Sequence, residues 1–139
     1  MRIVVKDLQR RIKINPVKIR KIAYKINYPA KFNNLKLRLY FVRNSIIRRL
    51  NKQFLAKNCL TDVISFSLEK DYAEVFIAPC VVKKNATVFG VEFKEELYRC
   101  IIHGILHISG FKDETKKEKS RMWKRQELIL KEIISYEKN

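Results

Sequence analysis

The sequence predicts an α+β fold: a mixed sheet of about four strands packed with four or five helices, one of them central and bearing two histidines. Three observations lead there. Apolar residues alternate with a period of two in some segments and recur at helical spacing in others, and the two kinds are interleaved along the chain. Of 139 residues 47% are apolar, and only three Gly and three Pro are present, enough to build one core and too few breakers for a disordered chain. No repeat, low-complexity segment or linker divides the sequence, so residues 1–139 are expected to form one domain.

The first element is the β-branched run Ile3–Val5, expected as an edge strand. Asn15-Pro16 then opens a helix, with Pro16 at its first position, where the missing N–H would be unpaired anyway. Val17, Ile19, Ile22, Ala23 and Ile26 follow at helical spacing until Tyr28-Pro29 ends the run. Leu35, Leu37, Leu39 and Phe41 alternate with Lys36, Arg38 and Tyr40, the period of a half-buried strand. Asn44 is expected to cap a helix containing Ile46, Ile47, Leu50, Phe54 and Leu55. Asp62–Leu68 and Ala73–Ala78 have strand length and apolar character. Pro79 starts a short helix through Val81, Val82 and Ala86, closed by Gly90.

Phe93–Ser109 is apolar nearly all round, the signature of a helix buried in the middle of a domain, and Gly110 stops it. The final helix opens on Thr115-x-x-Glu118, a pattern in which side chain and backbone cap each other, and carries Met122, Trp123, Leu128, Ile129, Ile133 and Ile134.

Charge is distributed unevenly. The net charge is +17, yet residues 1–60 hold 17 Lys and Arg against one acid, Asp7. The rest is nearly balanced. A basic half beside a neutral half is the footprint of a nucleic-acid binder; drift towards Lys and Ile explains an excess of Lys but not the scarcity of acids. The three cysteines, Cys59, Cys80 and Cys100, are odd in number and form no C-x-x-C pair, so they are expected as buried, reduced thiols of a cytoplasmic protein. No apolar run reaches the roughly 18 residues of a membrane span, and the N-terminus lacks the apolar stretch of a signal peptide.

The candidate site lies on the central helix. His103 and His107, the only histidines, are four residues apart and so project from one face, one turn from each other. Two imidazoles so placed reach one ion at about 2.0–2.1 Å. Gly110 lets the chain turn back, and Asp113 then presents a carboxylate from below the helix end, giving H-x-x-x-H-x-x-G-x-x-D. The expected metal ligands are therefore His103, His107 and Asp113; Asp113 also fits the part of a cap for the next helix. The spacing matches the metal-binding half of the long zinc-peptidase motif, but Gly104 stands where a peptidase has its Glu base. A mid-helix Gly costs about 1 kcal/mol relative to Ala, so Gly104 implies a close approach by a strand or a substrate. Arg99, one turn earlier on the same face, is placed to contact a phosphate or to pair with Glu95 or Glu96.

The string His103-Gly104-Ile105-Leu106-His107-Ile108-Ser109-Gly110-Phe111 resembles the HGxLHLxGY signature of the YbeY family, bacterial rRNA maturation endoribonucleases. Leu50-Asn51, Phe54 and Thr61–Phe66 resemble its LN…Y…TDVLSF block; Glu74–Ala78 with Val81–Ala86, and Glu95–Arg99, follow in the same order. The resemblance spans about residues 35–134. It implies a Zn²⁺-dependent single-strand endoribonuclease acting in rRNA maturation and ribosome quality control, with one Zn²⁺ per chain, with His103, His107 and Arg99 as catalytic residues, and with rRNA and ribosomal proteins as partners. A non-catalytic ribosome-assembly factor with a structural metal site is the alternative. Two departures stand out: Asp113 replaces the third His of most members, and Leu55 falls where better-known members carry an Arg, with Lys57 nearby.

Overall fold

The computed structural model describes residues 1–138. Its order is β1 (Arg2–Asp7), α1 (Pro16–Tyr24), β2 (Lys36–Phe41), α2 (Asn44–Leu55), β3 (Val63–Glu69), β4 (Tyr72–Ile77), α3 (Pro79–Phe89), α4 (Phe93–Ile108) and α5 (Lys116–Lys138), with a 3₁₀ turn at Ala30–Phe32. The sheet order is β1-β2-β4-β3. β1, β2 and β4 are parallel, and β3 runs antiparallel to β4 as the outer arm of a hairpin, so the α+β expectation holds and β1 is an edge strand.

The alternation along the strands sorts side chains onto two faces. Leu37, Leu39 and Phe41 of β2 and Ala73, Val75 and Ile77 of β4 point into the main core, where α1, α4 and α5 cover them. Tyr40, Phe66 and Phe76 point the other way and pack under Ile47 of α2. Phe76 stacks on Tyr40 at 4.9 Å between centroids and meets Phe66 edge-on. The helices after β1 and β2 therefore leave towards opposite faces, opening a crevice at the carboxyl ends of the parallel strands, where open α/β sheets characteristically bind ligands.

Several elements differ from expectation. The first helix stops at Tyr24, with Asn15 accepting from the Lys18 N–H; Val17 is exposed and Ile26 is buried from the turn beyond the helix. Asn44 does not cap α2. It is the first helical residue, Arg43 is the N-cap, and Asn44 Oδ1 is buried without a donor. Phe54 and Leu55 are exposed: α2 buries Ile47 and Asn51, and Phe54 meets the sheet only edge-on at Phe66, with ring centroids 5.2 Å apart. Only Cys100 of the cysteines is buried; Cys59 is exposed and Cys80 partly so, and all three are free thiols. No helix among the described residues is long and apolar enough to cross a membrane.

Candidate metal centre

α4 owes its position to Gly104. A Cβ there would lie 2.7 Å from Val75 Cγ1, 3.0 Å from Val63 Cγ2 and 3.1 Å from Ser65 Oγ. The helix backbone rests directly on β3 and β4, and the Ser65 hydroxyl donates to the Gly104 carbonyl at 2.8 Å. The close approach is therefore that of a strand.

The carboxyl end of α4 closes as a Schellman turn. Phe111 N–H donates to the Leu106 carbonyl at 3.0 Å and Gly110 N–H to the His107 carbonyl at 3.1 Å, with Gly110 at φ +104°. The turn has a second use: the Phe111 carbonyl lies 3.0 Å from His107 Nδ1. A carbonyl only accepts, so His107 carries its proton on Nδ1. His103 Nδ1 lies 2.7 Å from Gln126 Oε1, and the Gln126 amide is oriented by its own donation to Glu127 Oε2 at 3.2 Å. His103 is thus also protonated on Nδ1.

Both Nε2 lone pairs consequently face one point. They are 3.1 Å apart, and Asp113 Oδ2 lies 3.4 Å from His107 Nε2 and 4.0 Å from His103 Nε2. Three acceptors converge with no donor between them, an arrangement that calls for a cation. Ligands about 2.0–2.1 Å from a tetrahedral ion lie about 3.3 Å apart, so the spacing fits such an ion. The structure brings the three expected ligands together. Asp113 is 46% exposed at its side chain, so the site is open towards solvent. It is held near by the capping box that starts α5: Glu118 N–H donates to Thr115 Oγ1, and Thr115 N–H to Glu118 Oε1. These bonds hold the Glu118 carboxyl below its ordinary range.

Arg99 lines a cavity whose wall includes His103. Its guanidinium donates to Glu96 at 2.6 Å, to both oxygens of Glu127 at 3.0 Å and to Glu95 at 3.3 Å. The pairing with Glu95 and Glu96 expected from spacing is present, and α5 adds Glu127. Leu55 is exposed at the end of α2, followed by Ala56 in the left-handed region at φ 55°.

Sequence reasoning missed Gln126, the outer partner of His103. Its signal was present: it is the one polar residue in the buried stripe Met122, Gln126, Ile129, Leu130, Ile133 of α5. It also missed how the N-terminal charge is gathered. A cavity of about 600 Å³ opens at the carboxyl ends of β1 and β2 and the start of α3, bounded by Arg10, Arg11, Arg43 and Ser45. None of the three arginines is in an ion pair among the described residues. The loop carrying Arg10 and Arg11 is fixed by Gln9, whose amide donates to Asp7 and to the Ile12 carbonyl and accepts from Ile12 N–H.

Fold and site together define an α+β protein with a two-histidine, one-carboxylate ligand set at the end of its central helix. The family model described as Endoribonuclease YbeY matches residues 5–134, and the chain belongs to that family. It is 35% identical over 103 residues to the Endoribonuclease YbeY of Thermotoga petrophila, covering 72% of this chain and 69% of that one. It is 39% identical over 98 residues to that of Azobacteroides pseudotrichonymphae, covering 68% and 70%. The solution structure of a Thermotoga maritima protein superimposes with a TM-score of 0.65 at 26% identity, covering 98% of this chain and 91% of that one.

Proposed function

We propose that this protein is a Zn²⁺-dependent endoribonuclease that cleaves single-stranded segments of ribosomal RNA in the cytoplasm, in rRNA maturation and ribosome quality control. The observation that carries the reading is the convergence of His103 Nε2, His107 Nε2 and Asp113 Oδ2, with both Nδ1 atoms committed elsewhere. Family membership supplies the substrate class. His103, His107 and Asp113 would hold the ion, which when bound would supply Lewis-acid polarisation and an open position at which a water is activated.

The chain's own residues do the rest. Gln126 and the Phe111 carbonyl fix ring orientation and tautomer. Asp113 brings a negative charge, which leaves the loaded site with net charge +1 where a third His would leave +2, and this favours a hard divalent ion more than the usual set does. The arginine rim at the strand ends supports backbone binding without sequence reading. Ribosomal proteins are the further partners we assign. The openness of the ligand set towards solvent favours catalysis over a purely structural metal.

The test is cleavage of structured ribosomal RNA by purified protein, with and without chelator, beside a His103→Ala/His107→Ala variant checked for folding. Loss of several kcal/mol of transition-state stabilisation corresponds to a rate drop on the order of 10³-fold. A folded double variant that cleaves at the wild-type rate overturns the proposal.

A further inference from the structure

Beside the metal centre lies a cavity of about 580 Å³, within the roughly 300–1,000 Å³ of small-ligand sites. One wall is His103, so whatever enters is a neighbour of the candidate metal centre. Two other walls are aromatic and open: Phe89 is 63% exposed and Trp123 56%. Large rings this exposed around one concave site form a stacking platform, the means by which proteins hold unstacked bases of single-stranded RNA.

The charge of the cavity says what does not enter. In a chain of net charge +17, its lining carries two acids, Asp62 and Glu96, against Arg99. That arginine is already engaged by Glu95, Glu96 and Glu127, with its Cζ 5.9 Å from the centre of the Trp123 ring. Among the described residues no free cation remains in the cavity to receive a phosphate, and the carboxylates repel one. The cavity suits a neutral, flat group that donates hydrogen bonds.

Asp62 is placed to receive those donors. Its main chain is anchored at the start of β3, where the Asp62 carbonyl accepts from Ala78 N–H at 2.9 Å. Its Oδ2 accepts from the Cys100 thiol at 3.3 Å; burial and the neighbouring carboxylate push that thiol far up, so it remains a donor. Oδ1 has no partner among the described residues. The Watson–Crick edge of guanine presents two adjacent donors, N1–H and N2–H, that match a carboxylate; uracil presents one, flanked by two repelling carbonyl oxygens.

We infer that this cavity is a base-specificity subsite: it takes one unstacked guanine of the RNA, stacked on Trp123 and Phe89 and read by Asp62, beside the phosphate held at the metal centre. This rests on the RNA reading above. It has a direct optical readout, because Trp123 is the only tryptophan of the chain.

The experiment titrates the full-length protein, as purified and on ice, with two labelled short single-stranded oligoribonucleotides: all-uridine, and the same with one central guanosine. Tryptophan emission and label anisotropy are followed together. The guanosine oligonucleotide should quench Trp123 and bind about tenfold more tightly, the size of one good edge contact. Asp62→Asn should bring the two affinities within about twofold. Trp123→Ala should weaken binding of the guanosine oligonucleotide about tenfold by anisotropy, and Trp123→Phe should largely restore it. Binding of both oligonucleotides with equal affinity, or with no change in emission, overturns the subsite and leaves the RNA reading standing. Binding of neither overturns both.

Discussion

Arginines occur in two settings in this molecule, and the settings differ in how much charge is left available to an anion. At the carboxyl ends of β1 and β2, Arg10, Arg11 and Arg43 surround a crevice with no carboxylate paired to any of them among the described residues. Beside the metal centre, Arg99 faces three carboxylates and is largely withdrawn from solvent. The first group has charge available to an anion. The second is a structural tie between α4 and α5. Total charge treats every arginine alike; pairing separates those without a carboxylate partner among the described residues from the one that three carboxylates already hold.

Substitutions can sharpen or break this contrast. The largest expected effect is on stability. Arg99→Met leaves Glu95, Glu96 and Glu127 facing one another without a cation, and removing the cation of this partly buried network costs about 3 kcal/mol. Urea unfolding should show it, while the salt dependence of RNA binding stays unchanged; an altered salt slope would place Arg99 on the phosphate path. Next comes the rim. Replacing Arg10, Arg11 and Arg43 with Gln removes three candidate phosphate contacts, so the slope of log K against log salt should fall by about 2, and affinity at 0.15 M salt roughly fiftyfold. The melting temperature should barely move. If RNA affinity survives, the crevice is not on the RNA path. Smallest is Gly104→Ala, which places a methyl 2.7 Å from the fully buried Val75. Overpacking of about 1–3 kcal/mol is offset by about 1 kcal/mol of helix propensity, a net loss near 1 kcal/mol. Calorimetry measures it, and a gain in stability would mean that the sheet yields there.

Much of this was legible in the chain itself. Apolar patterning and breakers placed β2, β4, α3 and α4 within a residue or two: alternation for β2, a short apolar run for β4, Pro79 and Gly90 for α3, and an all-round apolar run for α4. Gly90 and Gly110 marked helix ends because both need positive φ. The candidate ligand set was legible because its three members lie within eleven residues, so local geometry brings them together. What escaped was non-local or partly solvated. Gln126 meets His103 across 23 residues of sequence and Glu127 meets Arg99 across 28, contacts fixed only by how α5 docks on α4. Phe54, Leu55 and Trp123 are apolar yet exposed, so a pattern that equates apolar with buried misplaces them. Asn44 has the side chain of a cap but sits one position too late to act as one.

The contact at Gly104 bears on aim as well as on stability. Successive residues of an α-helix are turned by about 100° about its axis. A helix whose backbone is pressed against a sheet at one residue therefore has a single permitted rotation. With Gly104 seated on Val75, His103 and His107 are directed to one bearing, towards the turn that brings Asp113. The missing side chain works as an index notch: it sets the rotation of α4, and with it the direction in which both imidazoles point.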